Sequence, residues 1–227
     1  MKIDLEFACQ INDKIYKEVL KNLCSFRNEK DIARFIRKKL REYGAKESFP
    51  TLVSTGSNAS EIHHRPNNTI LKGFTIIDFG AKLGKQCTDF TRTVYFGVPS
   101  KKEIEIYKKV VNAQKKAIES IKIGGFWSNV DKAARKELGS YAKYFKHTTG
   151  HGIGYRIHQK PKIYSKCKEK IKFGEIIAIE VGVYTKKFGI RIEDTLYIGK
   201  KKIYVLTKSS KNLVKAKFMG RVSSHKI

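Results

Sequence analysis

The sequence predicts a single α+β domain in which helices pack outside a curved antiparallel sheet built from two related halves. Three observations point there. Two glycine-punctuated strand–turn–strand stretches, 71–97 and 175–199, each follow a helical stretch, so the same unit occurs twice around one sheet, although identity between the halves is slight. The length of 227 residues suits one domain with a sizeable core. Apolar runs at the start of each hairpin, IIDF and EIIAIEV, read as buried strand.

Residues 1–27 read as a lead-in before the first helix. MKIDLEFACQINDK is broken by charges before it can form the apolar run of a secretory signal. The cysteines, Cys9, Cys24, Cys87 and Cys167, form no CxxC pair, which predicts a reduced, cytoplasmic setting. No stretch approaches the roughly 18 apolar residues of a membrane span, so no membrane partner is expected.

NEKDIARFIRKKLREYGA, 28–45, places Ile32, Phe35, Ile36 and Leu40 on one helical face and stops at Gly44. Its basic face reads as simply solvated. Residues 49–68 begin strand-like and become a turn-rich loop carrying His63 and His64. After the first hairpin, 101–125 is a second helix with Ile104, Tyr107, Val111 and Ile118 on one face, and 130–145 continues helical to HTTGHGIGYRIHQKP, 147–161. Beyond the second hairpin, 201–214 reads as one more strand, closing a domain of 1–214. Residues 215–227 read as a basic, loosely docked tail.

The charge balance is strongly basic: 48 Lys and Arg against 21 Asp and Glu, a net +27. The last carboxylate is Asp194; the remaining 33 residues carry nine Lys or Arg, and KPKIYSKCKEKIK, 160–172, forms a second basic stretch. Such a surface attracts polyanions by counterion release without any shaped site, so nonspecific nucleic-acid binding is one expected partnership.

The hairpins carry the chemistry. Asp78 and Asp89 are symmetric about Leu83-Gly84, and Glu180 and Glu193 about Lys186-Lys187, so two-residue turns at these points would set each pair face to face. Like charges ~5 Å apart at an effective dielectric near 20 cost about 3 kcal/mol. Four such groups clustered at the ends of buried strands require cations between them. Hard oxygen ligands with an imidazole suit Mn, Co, Fe or Zn, and several carboxylates suit two bridged metals better than one. One of His147, His151 and His158 should complete the set, and His151, between Gly150 and Gly152, has the closest backbone access.

DFGAKLGKQCTDFTRT, HTTGHGIGYRIHQKP and GIRIEDT, in this order and spacing, resemble the pita-bread metallopeptidases, which include methionine aminopeptidase, aminopeptidase P and prolidase. The likeness covers about residues 28–214. It implies that Asp78 chelates one metal, that His151 and Glu180 bind the other, and that Asp89 and Glu193 bridge them. It also implies hydrolysis of an N-terminal residue, at Xaa-Pro bonds by the likeness of TDFTRT and RIED, through a hydroxide shared by the metals with Glu180 as acid/base. His158 matches a substrate-contacting histidine, His63 (or, failing that, His64) matches one that holds the tetrahedral intermediate, and Arg191 matches an arginine orienting the acidic groups. Two divalent ions follow, Mn²⁺ or Co²⁺ first, with Zn²⁺ or Fe²⁺ as alternatives. Methionine aminopeptidase activity is the near rival, and a noncatalytic binding module for RNA, ribosome or acidic partners the distant one.

The sequence departs from the family at EVG, usually EPG, and at HQ, usually HE, where Gln159 replaces a charge. With only some 27 residues ahead of the first expected helix, a bare catalytic domain is expected, and with it an open site and aminopeptidase rather than strict dipeptidase activity.

Overall fold

The computed structural model describes residues 2–216. The order is α1 (Lys2–Lys21), α2 (Glu29–Glu42), β1 (Lys46–Glu47), β2 (Leu52–Thr55), β3 (Gly73–Phe79), β4 (Ala81–Leu83), β5 (Gln86–Cys87) and β6 (Phe90–Phe96). There follow α3 (Lys101–Glu119), α4 (Trp127–Leu138), β7 (Gly150–Gly152), β8 (Gln159–Ile163), β9 (Ile176–Tyr184), β10 (Gly189–Ile198), β11 (Ile203–Val205) and β12 (Lys215–Ala216).

The lead-in expected before the first helix is itself a helix. On α1, Leu5, Ala8, Cys9, Ile15, Tyr16 and Val19 are buried, the spacing of one helical face. Asn12 interrupts that face but is buried with both amide ends used: it donates to Thr88 Oγ1 (2.9 Å) and accepts from the Ala81 N–H (2.9 Å). α2 begins with a reciprocal capping box between Asn28 and Asp31, and α3 with one between Ser100 and Glu103. The buried face of α3 is Ile106, Tyr107, Val110, Ala113, Gln114 and Ala117. Of the expected face only Tyr107 is fully buried; Val111 and Ile118 pack at its margin.

The main sheet runs β2-β3-β6-β10-β9-β7-β8, with β11 on β10 and β12 on β6; β1, β4 and β5 form a separate small sheet. All pairings are antiparallel except β12 with β6. Lys215 and Ala216, expected in the loose tail, therefore add a strand; the rest of that stretch lies outside the described residues. A midline between β6 and β10 divides the sheet into matched halves. The α1–α2 pair shares a core with Val53, Ile77, Phe79, Phe90 and Val94. α3 and α4 share another with Ile177, Ile179, Val181, Ile190 and Ile192.

At the midline the backbones are bridged by side chains. Thr93 Oγ1 accepts from Arg191 N (3.1 Å) and donates to Arg191 O (2.8 Å); Thr195 Oγ1 does the same for Asp89 N and O (3.0 and 2.7 Å). Beneath them the buried Arg92 donates to Thr91 O and Glu193 O (2.9 and 2.7 Å) and to Asp194 Oδ1 (2.7 Å). Polar groups taken from water need partners; this seam supplies them without closing the ladder.

Candidate metal centre

The expected ligands arrive from five places: Asp78 on β3, Asp89 just before β6, His151 on β7, Glu180 on β9 and Glu193 on β10. All five line one cavity of about 530 Å³. Glu180 and Glu193 pair directly across β9–β10, as their symmetry about the turn predicts. The aspartates do not face each other. Asp78 pairs with Thr91 and Phe79 with Phe90, which offsets Asp89 by two residues. The turn falls at Gly84-Lys85, since Leu83 pairs with Gln86 and Gly84 takes the left-handed conformation (φ +57°) that a side chain disfavours. The glycines beside His151 have a steric reason. A Cβ on Gly150 would collide with the Ala178 carbonyl and one on Gly152 with the Lys160 carbonyl, so only glycine lets β7 lie this close to its neighbours.

Three sets of ligand atoms each fall within 4.8 Å: Asp78, Asp89 and Glu193; His151, Glu180 and Glu193; and Asp89, His151 and His158. Glu193 thus belongs both to the aspartate group and to the His151–Glu180 group. His151 Nε2 lies 3.5 Å from Asp89 Oδ2 and 3.9 Å from Glu180 Oε1. Burial first, then the neighbouring carboxylates, pushes Asp89 and Glu193 well above the usual range, and burial with the Glu193 charge pushes Glu180 up to about 8. Arg191 Nη2 donates to Asp78 Oδ2 (2.6 Å), whereas the buried Asp78 Oδ1 has no hydrogen-bond partner. An orphaned carboxylate oxygen on an aspartate grouped with two further acids fits a cation: oxygen donors, one imidazole and a shared carboxylate are what two divalent ions require.

His158 and His63 also line the cavity. The His158 ring stands edge-on to His151 at 4.4 Å, and burial, then His151, lowers its affinity for a proton. His64 turns away: Nε2 lies 2.9 Å from the buried Glu29 and Nδ1 3.0 Å from Glu61. Glu29 also accepts from Thr55 N and Asn67 N (2.8 and 2.9 Å), so His64 belongs to the anchor of the loop that carries His63. His147 hydrogen-bonds the Thr148 carbonyl through Nδ1 (2.8 Å). Since a carbonyl only accepts, Nδ1 carries the proton, and Nε2 receives the Tyr184 hydroxyl (2.8 Å). Tyr184 in turn accepts from Arg191 Nη1 (2.8 Å). This one-way chain fixes the guanidinium that holds Asp78. Burial and then Arg191 bring His147 down to about 3.

Tyr184 escapes a sequence reading, though it stands four residues after Glu180 and hence on the same strand face. Arg37 was expected to be solvated; instead it lines the cavity with Phe49, Pro50 and Arg65.

The family model for metallopeptidase family M24 matches residues 4–200. A Pyrococcus horikoshii protein named Xaa-Pro dipeptidase is 34% identical over 216 residues, covering 92% of this chain and 62% of its own length. Among solved structures, a prolidase from Thermococcus sibiricus superposes with a TM-score of 0.90 at 34% identity, covering 94% of this chain and 60% of that one. An X-Pro aminopeptidase from Thermotoga maritima gives 0.89 at 28% identity, covering 94% and 62%. The chain therefore spans about three fifths of the length of these relatives. Its curved antiparallel sheet with matched halves is the pita-bread fold. By sequence and by fold, the chain belongs to metallopeptidase family M24.

Proposed function

We propose that this chain is the catalytic part of a dinuclear metallo-exopeptidase that removes the N-terminal residue from peptides at Xaa-Pro bonds. The observation that carries the reading is the convergence of Asp78, Asp89, His151, Glu180 and Glu193 on one cavity, with Asp78 Oδ1 left unpartnered. Asp78 would hold one ion, His151 and Glu180 the other, and Asp89 and Glu193 both. Mn²⁺ or Co²⁺ suits this set first, Zn²⁺ or Fe²⁺ next. Two such ions supply concentrated positive charge that polarises a scissile carbonyl.

The chain's own residues do the rest. Glu180, mostly buried, would take a proton from the attacking water and deliver it to the leaving imide nitrogen. His158 and His63 donate to the substrate carbonyl and to the oxygen that gains charge. Phe49, Pro50, Leu52 and Ile157 give the cavity apolar lining suited to a pyrrolidine ring. Relatives named Xaa-Pro dipeptidase favour this specificity over methionine. Free cysteines at 9, 87 and 167 suit a reducing, cytoplasmic setting, and no described helix is long and apolar enough to cross a membrane.

The test is release of the N-terminal residue from Ala-Pro, Ala-Pro-Ala and Met-Ala-Ser by metal-stripped protein resupplied with Mn²⁺ or Co²⁺. Glu180→Gln should lower turnover on the Pro peptides by about a thousandfold or more, the combined scale of losing an acid/base and a ligand. Cleavage of Met-Ala-Ser alone would favour methionine aminopeptidase; cleavage of Ala-Pro alone would reject the aminopeptidase preference.

One observation supports an additional role in binding RNA. Phe126 and Phe173 are 43% and 49% exposed, each with a lysine close to its ring. Lys170 Nζ stands 6.0 Å over the first ring and Lys200 Nζ 5.4 Å over the second, and Phe126 bridges to Lys170. Flush rings beside cations suit stacked bases and phosphates. Single-stranded RNA should bind with affinity falling steeply as salt rises, and Lys170→Glu with Lys200→Glu should weaken it. Binding indifferent to both substitutions would remove this surface from consideration.

A further inference from the structure

Ile62, His63, Arg65 and Pro66, which line the cavity, come from the connection between β2 and β3. Residues 61–69 belong to no helix or strand. The His63 ring makes no hydrogen bond of its own among the described residues, so the backbone that carries it must fix its place. The residues on either side do so. The Ile62 carbonyl accepts from Arg191 Nη1 (3.2 Å), and His64 Nε2 donates to Glu29 Oε2 (2.9 Å).

Glu29 is the first residue of α2 and is fully buried. Its carboxylate collects four donors from the connection. Thr55 N (2.8 Å) and Asn58 Nδ2 (3.0 Å) reach Oε1, while His64 Nε2 and Asn67 N (both 2.9 Å) reach Oε2. The helix end adds two backbone bonds, Glu29 N to Thr69 O (3.3 Å) and Lys30 N to Asn67 O (3.2 Å). Two donors on each oxygen fill the acceptor sites of a carboxylate. A buried carboxylate is costly even when so bonded, and apolar side chains would close a loop with less desolvation. What the carboxylate adds is direction: four bonds of defined geometry hold the loop in one conformation.

We propose that Glu29 is a positioning residue for the peptidase reaction: through His64, and against the Arg191 bond on the other side, it holds the His63 ring over the metal centre. Glu29 itself does not line the cavity. This role rests on the exopeptidase reading, in which His63 donates to the substrate.

Glu29→Gln keeps the size of the side chain but turns an amide NH₂ toward two donors, and His64→Ala removes one bond of the four. Double-mutant cycles on Mn²⁺-loaded protein, read as kcat/KM for Ala-Pro-Ala, test the route. Each single variant should lower kcat/KM by about tenfold to a hundredfold, the scale of misplacing a reacting group by about 1 Å. His64→Gln, which retains a donor, should recover part of the loss. In a His63→Ala background, either variant should change kcat/KM by less than about twofold. A loss of the same factor in both backgrounds, or no loss in a folded single variant, would overturn the proposal and leave Glu29 a stabilising residue only.

A second readout needs no turnover. In Co²⁺-loaded protein with isotope-labelled histidine, with Zn²⁺ as the diamagnetic reference, nuclear magnetic resonance should show a cobalt-induced shift of the His63 ring. Glu29→Gln and His64→Ala should each shrink that shift and leave the one at His158 in place. A His63 shift that is absent, or unchanged in both variants, would also overturn the proposal. A shift that depends on Glu29 and His64 in a protein that cleaves no peptide would sustain the positioning and reject the exopeptidase.

Discussion

Stripped of divalent cations, the protein is expected to lose stability as pH rises from about 5 to about 8, the reverse of ordinary acid denaturation. The cause is the acid cluster. Burial and mutual repulsion hold Asp89 and Glu193 well above their usual range and Glu180 at about 8. A carboxyl group whose folded value is raised keeps its proton in the native state when the unfolded chain has already lost it. Its stabilising contribution is complete below the unfolded value and disappears as pH climbs through the folded one. For Glu180 alone the shift corresponds to roughly 5 kcal/mol. His147, brought down to about 3, acts in the opposite sense, losing stability as pH falls below its unfolded value. His158, also lowered by burial and His151, acts in the same sense as His147, and two imidazoles against three carboxyl groups leave the net slope negative.

Mn²⁺ should reverse the trend, because cations displace the retained protons and their binding tightens with pH. Thermal melts of stripped and loaded protein across this range check the sign. Calorimetry in buffers of different ionisation enthalpy should detect proton release on metal binding. A melting temperature of the stripped protein that is flat or rises over this window would show that the cluster is not a set of buried, mutually repelling acids.

Arg92→Met should destabilise the protein by about 3–5 kcal/mol, the cost of removing one partner from a buried ion pair. Asp194 is fully buried. Burial alone would raise its carboxyl, but Arg92 and then Lys211 (2.7 and 2.6 Å) hold it well below the usual range. Gln114 Nε2 and Thr207 Oγ1 complete its acceptor sites (2.9 and 2.7 Å). Met retains the length of Arg92 but leaves that carboxylate with one cation and also strips Thr91 O and Glu193 O of their donor. Urea denaturation reads the change directly. Adding Asp194→Asn should recover part of the loss, because the neutral amide no longer demands the missing charge. A single-variant loss under about 1 kcal/mol would mean that the sheet's midline is held by other contacts.

How much was legible in the sequence depended on whether a residue's partners were local. Glu180 and Glu193 could be opposed on paper because one uninterrupted hairpin joins them. Asp78 and Asp89 could not: residues 81–87 leave the main sheet to pair with β1, and no short-range pattern records that detour. α1 was hidden by Asn12, a polar residue at a core position whose partners, Thr88 and Ala81, lie far along the chain. The face of α3 was misread because its packing uses Ala113, Gln114 and Ala117, small or polar side chains that carry no hydrophobic signature, in preference to Ile104 and Val111. Motif residues brought the acid cluster within reach; Tyr184 and Arg37 stayed invisible because their roles arise from contacts between distant segments.

The seam between β6 and β10 has a further consequence. Asp78 and Asp89 belong to one side of it, and His151, Glu180 and Glu193 to the other, so the ligand set exists only while both halves are docked. Metal affinity is therefore a gauge of that docking: by mass action, whatever loosens the threonine-bridged midline weakens metal binding by the same free energy that it takes from the docked state.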